Sequence, residues 1–147
     1  MQKRGADKAV LSKTAGWIIL IFLVLLDASL DVFFEQGRGL ESGIWKPISD
    51  FVKIKNPLLM TPFVLVLFYF FVKIGAWVAR KIDKVAIKSE ELVLTTIVII
   101  YGLFDLWLIL VYFFDFTLIK SHYYLIPFFI IIGILYEIWA EKKLKTK

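Results

Sequence analysis

Four stretches of nearly unbroken apolar residues divide the chain, and polar breaks separate them. They run from about 15 to 34, 58 to 79, 92 to 116 and 123 to 140. A helix of about 20 apolar residues crosses roughly 30 Å of hydrocarbon, so each stretch predicts one membrane span. The breaks carry helix-start signals. Thr14 stands where a cap for the first span is expected. Asn56-Pro57 offers a cap and a proline at the first helical position for the second. Ser89 can cap the third, and Glu90 and Glu91 suit the positive end of its dipole. Phe33, Phe34 and Glu35 follow the first stretch. No small-residue cleavage site stands there, so that stretch reads as a span rather than a signal peptide.

Between the first two spans the pattern changes period. Ile44, Trp45, Ile48, Phe51 and Val52 fall on one helical face, with Lys46, Asp50 and Lys53 elsewhere. This predicts a short amphipathic helix over about 43–55. It either caps the outer mouth of the spans or lies in the membrane interface. Gly37, Gly39 and Gly43 would hinge it.

Composition narrows the class. Of 147 residues, 60% are apolar, 17% aromatic and 21% charged, with no cysteine and one histidine. Soluble domains are about 45–50% apolar, and small ones leave much of their surface wet. A soluble enzyme, a disordered chain and a disulfide-stapled domain are therefore excluded. The expected fold is all-α: an integral membrane four-helix bundle, one transmembrane domain, with the amphipathic helix in the outer loop between spans 1 and 2. The net charge is +5. With alternating spans, thirteen of the eighteen Lys and Arg fall on the side that holds both termini. That places the termini in the cytoplasm of a multi-pass protein of the cell membrane. Trp17, Trp77 and Trp139 are expected as anchors at the inner boundary, and Tyr112, Tyr123 and Tyr124 at the outer one. The positive charge serves orientation and anionic lipid rather than nucleic acid. The partners expected are the lipid bilayer and a second copy or a larger membrane complex, because four helices bury few of their faces.

The two halves, 15–81 and 92–143, carry weak parallels. Leu26–Leu30 aligns with Phe104–Leu108, and Pro62-Phe63 with Pro127-Phe128. A parallel repeat is one reading. The other is that two spans starting on the same side resemble each other anyway.

The costly residues are acids. Asp27 lies about 18 Å into span 1, and Asp105 at nearly the same depth in span 3. Each costs about 2.5–3.5 kcal/mol to insert and should face away from lipid. Asp27, Asp31 and Glu35 recur at i, i+4 and i+8, which makes an acidic stripe rising to the outer surface. Tyr101, one turn before Asp105, is expected to bond that carboxylate. Three readings follow. Asp27, Asp31 and Asp105 form a site for a proton or metal ion; or the acids lock spans 1 and 3 together; or they meet a basic residue of another subunit. No Lys or Arg of this chain shares their depth. Lys73 and Glu137 read as boundary residues, and His122 as a surface residue.

No phosphate loop, dinucleotide fingerprint, zinc-protease motif or G-x-S-x-G elbow is present. No catalytic residue or cofactor is expected. The function that fits is a small transport or channel subunit, linked to protons or cations, whose intramembrane carboxylates are Asp27 and Asp105 with Asp31 and Glu35 as the outer approach. The alternative is a non-catalytic structural or accessory subunit. A lipid-modifying enzyme is a lesser one.

Overall fold

The computed structural model describes residues 9–41, 43, 45–85, 87–116, 118–119 and 124–145. The expectations for Ile44, His122 and Tyr123, and for the basic residues Lys3, Arg4, Lys8, Lys120 and Lys147, lie outside the described residues. Among the described residues five α-helices follow in order: α1 Lys13–Leu30, α2 Trp45–Val52, α3 Pro57–Lys81, α4 Ser89–Phe114 and α5 Leu125–Lys145. No strand is present among the described residues.

Three of these are long and apolar enough to cross a membrane: α1 with its extension to Glu35, α3 and α4. This supports reading the chain as a membrane protein. The fourth stretch stands apart. Glu137, Glu141, Lys142, Lys143 and Lys145 fill the second half of α5, and its uninterrupted apolar part runs only from Leu125 to Tyr136.

Two helix starts differ from expectation. Ser12, not Thr14, caps α1, its hydroxyl accepting from the Ala15 amide at 3.3 Å. Ser89 does not cap α4. Lys88 precedes it in the left-handed region (φ 59°), and the Ser89 hydroxyl accepts from Arg80 at 3.2 Å. With Lys88 in the cap position, the helix begins at Ser89, one residue earlier than a serine cap would set it. Asn56 caps α3 as its sequence predicts, accepting from the Leu58 amide at 2.9 Å.

α4 is the central helix. It packs on α1, α3 and α5, and α1 and α3 pack on each other. Gly16 of α1 faces Leu94, and Gly133 of α5 faces Ile100; a Cβ at either glycine would lie 2.6 Å from that neighbour. Ala28, Ala76 and Ala140 are buried as well. Lipid tails are as apolar as leucine, so close backbone approach through small residues holds such helices better than apolar burial does. The core among α1, α3 and α4 contains Leu20, Val24, Met60, Val64, Val72 and Leu94. α5 is seated by a cluster at each end, Leu125 and Phe129 against Leu30 and Leu108, and Ala140 and Leu144 against Val10 and Leu92.

The two ends of this cluster are chemically distinct. At one, here the basic end, Lys73 of α3 meets Glu90 of α4 at 2.6 Å, and Lys13 of α1 pairs with the other Glu90 oxygen. Lys73 is therefore ion-paired rather than reaching alone for the boundary, and it also lies 5.5 Å from the Tyr69 ring centroid. At the other, the cap end, α2 lies over the core. Trp45, Ile48 and Val52 pack inward. Phe51, expected on that face, is 87% exposed, because it falls outside the i, i+3, i+7 stripe that the packing selects.

Candidate functional site

The acidic stripe begins in regular helix and ends in a wider turn. α1 passes at Asp31 into a π-helical turn, Asp31–Glu35, closed by Gln36 in the left-handed region (φ 56°). Residues four apart in an α-helix drift by about 40°. A turn closed i→i+5 takes more residues per revolution, so the backbone widens where the stripe reaches Glu35. Such turns recur at functional sites.

Among the described residues, each acid on the stripe meets one protein donor. The Tyr101 hydroxyl donates to Asp27 Oδ2 at 2.7 Å, and the Tyr112 hydroxyl donates to Glu35 Oε1 at 2.6 Å. The Gly39 amide donates to Asp31 Oδ1 at 3.1 Å. Gly39 has to be glycine for this approach, since a Cβ there would lie 2.7 Å from Asp31 Oδ2. The Tyr112 ring is further fixed by stacking on Phe34, with centroids 4.7 Å apart. Tyr101 is held edge-on against Phe68 at 5.5 Å.

These groups border a cavity of about 200 Å³. α1 contributes Asp27, Asp31 and Glu35; α3 contributes Met60, Thr61 and Val64; α4 contributes Tyr101, Phe104 and Tyr112. Leu40 and Trp45 form the roof. A water needs about 10–15 Å³ of such space and several polar partners, so the volume and the oxygens on its wall suit several waters or one small solute.

Asp105 stands beside this cavity without lining it. It shares a helix face with Tyr101, Leu108 and Tyr112, all of which do line it, at i, i+4, i+7 and i+11. Its residue is 1% exposed, and neither carboxylate oxygen has a hydrogen-bond partner among the described residues. It lies within electrostatic reach of Asp27, and Tyr101 within reach of both. A buried polar group without a partner ordinarily costs about 1–3 kcal/mol, so its presence calls for a reason beyond packing.

The sequence places Asp27, Asp31, Glu35 and Tyr101 in one site, and the fold brings these four together. One pairing is corrected. Tyr101 bonds Asp27 across the α1–α4 interface rather than Asp105 one turn along its own helix. The hydroxyl points along the interface toward α1, where a facing carboxylate sits closer than the one on its own helix surface. Tyr112, expected near the outer membrane boundary, donates its hydroxyl to Glu35 and so joins the site. Thr61 and Trp45 were not anticipated as part of the site. Tyr112 had a readable signal, since it stands three turns from Tyr101 on the same face as Asp105. Among the described residues, no three His, Cys, Asp or Glu side chains converge to hold a metal ion. Asp27, Asp31 and Asp105 are thus not gathered as a ligand set.

No family model, curated protein or solved structure matches this chain.

Proposed function

We propose that this protein is a small transport or channel subunit that passes protons or other cations, with the acid-lined cavity as its binding site. The observation that carries the reading is the cavity itself. Three carboxylates face about 200 Å³ of space, and on the span reading Asp27 among them lies at mid-membrane depth, where a span would otherwise be dry. Intramembrane acids are costly and mark ion pathways. Asp27 and the neighbouring Asp105 are the coupling carboxylates, while Asp31 and Glu35 form the approach from the cap end.

The reading includes a topology of four spans, with α5 crossing through its apolar half and its lysines at the headgroups. Both termini then lie in the cytoplasm, and α2 covers the outer mouth. The bilayer is the immediate partner, and lipid or a second copy of the chain covers the exposed Phe, Ile and Leu side chains.

The test uses purified protein in liposomes holding a pH-sensitive dye, with an imposed membrane potential. Wild type should pass protons or cations, and Asp27→Asn and Asp105→Asn should reduce flux to that of empty liposomes while both proteins stay folded. Wild-type flux no greater than the empty control removes the proposal. The second reading, a non-catalytic structural or accessory subunit, draws on the Tyr101–Asp27 and Tyr112–Glu35 bonds, both of which tie α1 to α4. It expects no flux at all, with both tyrosines needed only for stability.

A further inference from the structure

We infer that the cation this cavity accepts is a small organic ammonium ion rather than a metal ion; the inference rests on the cation-binding reading above. Two features of the wall point there. The first is how the acids are spaced. They are strung along α1 one turn apart, and a helical turn rises about 5.4 Å, so three of them extend over about 11 Å. Calcium draws its oxygen ligands to 2.3–2.6 Å and magnesium to 2.0–2.1 Å, which such a string cannot satisfy together. A string of separated negative charges suits an ion whose own charge is spread over several atoms.

The second feature is aromatic. Trp45 in the roof and Tyr101, Phe104 and Tyr112 on α4 border the same space as the acids. Aromatic faces attract cations within about 6 Å of the ring centre, Trp most strongly, and ammonium ions with apolar substituents gain most because they shed water readily. A hard metal ion gains little from such walls and would lose its hydration shell for them. The polar side matches as well. Asp27, Asp31 and Glu35 each commit one oxygen to a protein donor. The second oxygen of each has no protein hydrogen bond among the described residues. The acids are thereby fixed in place and still able to receive a cation.

The test is calorimetric titration of the full-length protein in lipid nanodiscs with tetramethylammonium chloride, against empty nanodiscs and against sodium and calcium chloride at equal ionic strength. Saturable tetramethylammonium binding that sodium does not displace is expected. Trp45→Leu should weaken it about tenfold, while Trp45→Phe, which keeps an aromatic face, should stay within about threefold. Asp31→Asn keeps the acceptor for the Gly39 amide and loses the charge, so it should also weaken binding about tenfold. Thermal unfolding of each preparation confirms that the variants are folded. Binding that none of these variants changes overturns the inference, since the ion then sits elsewhere. Saturable calcium or sodium binding without tetramethylammonium binding, or Asp27-dependent proton flux without it, overturns the ammonium assignment and leaves the cation reading standing. Absence of binding and of flux removes both.

Discussion

Acids at the helix interfaces are treated in opposite ways at the two ends of this molecule. At the basic end, Glu90 sits between Lys73 and Lys13, so its charge is met by two cations. At the cap end, among the described residues, the Asp27, Asp31 and Glu35 carboxylates meet only hydroxyls and a backbone amide, and Asp105 meets no donor. An acid that serves only to join helices is best neutralised where it stands, and Glu90 shows that this fold can do so. The four acids near one cavity form no ion pair among the described residues, although the Arg38 side chain reaches the Glu35 backbone carbonyl at 3.1 Å. On the proposed reading the contrast separates an acid that fastens from acids that receive a cation, and three substitutions test it.

The largest effect is expected at Asp105. Replacing it with Val removes a buried carboxylate that has no hydrogen-bond partner among the described residues. Relieving such a group is worth about 1–3 kcal/mol, partly offset by imperfect packing of the new side chain. The Asp105→Val protein should therefore unfold at a higher temperature in detergent and yet pass no ions in liposomes. A gain in stability together with a loss of flux is the signature of a residue kept for function. A clear drop in unfolding temperature would instead place Asp105 among the fastening acids and erase the contrast.

The contrast was only half legible in the sequence. The long helices could be read from apolar length alone, and Asn56-Pro57 from capping chemistry. The acidic stripe followed from i, i+4 spacing on a single helix. Its partners did not, because Tyr101 and Tyr112 lie 74 and 77 residues away from the acids they bond. In a soluble helix the polar face reports which side looks inward. In α4 both the lipid side and the packed side are apolar, so the rotation that turns Tyr112 toward Glu35 leaves almost no trace in the pattern. The same ambiguity hid the pairing of Lys73 with Glu90. Whether α2 would cover the core or face outward depended on packing that no local spacing encodes, and Phe51 was accordingly placed on the wrong side. The π-helical turn was invisible for a similar reason, since residue type within it does not encode the closure of the Gln36 amide on the Asp31 carbonyl.

An intermediate effect is expected at the basic end. Glu90→Gln keeps the shape of the side chain and removes the charge that holds Lys13 and Lys73 together. Both lysines are substantially exposed, at 53% and 39%, and solvent screens what they lose. The loss should be about 1 kcal/mol, read as a lower unfolding temperature that high salt partly masks. Flux should be unchanged in protein that remains folded. Loss of flux in a folded Glu90→Gln protein would extend the functional region to both ends and blur the division drawn here.

The smallest effect sharpens the cap end itself. Tyr112→Phe deletes one hydroxyl while leaving the ring able to stack on Phe34. A hydrogen bond to a charged group contributes about 1.5–3 kcal/mol when sealed from water, and less where a cavity lets water replace the lost donor. Glu35 borders such a cavity, so the stability change should fall below about 1 kcal/mol. What changes instead is the freedom of the carboxylate. Glu35 loses the donor that fixes it at the entrance, and an entrance acid without a fixed orientation should weaken cation binding by only a few-fold. A stability loss well above 1 kcal/mol with binding unaltered would mean that this bond chiefly ties α1 to α4, making Glu35 the cap-end counterpart of Glu90. The measurement is thermal unfolding and cation titration on the same preparation, because only the pair of numbers distinguishes an acid held for packing from one held ready at the mouth of a site.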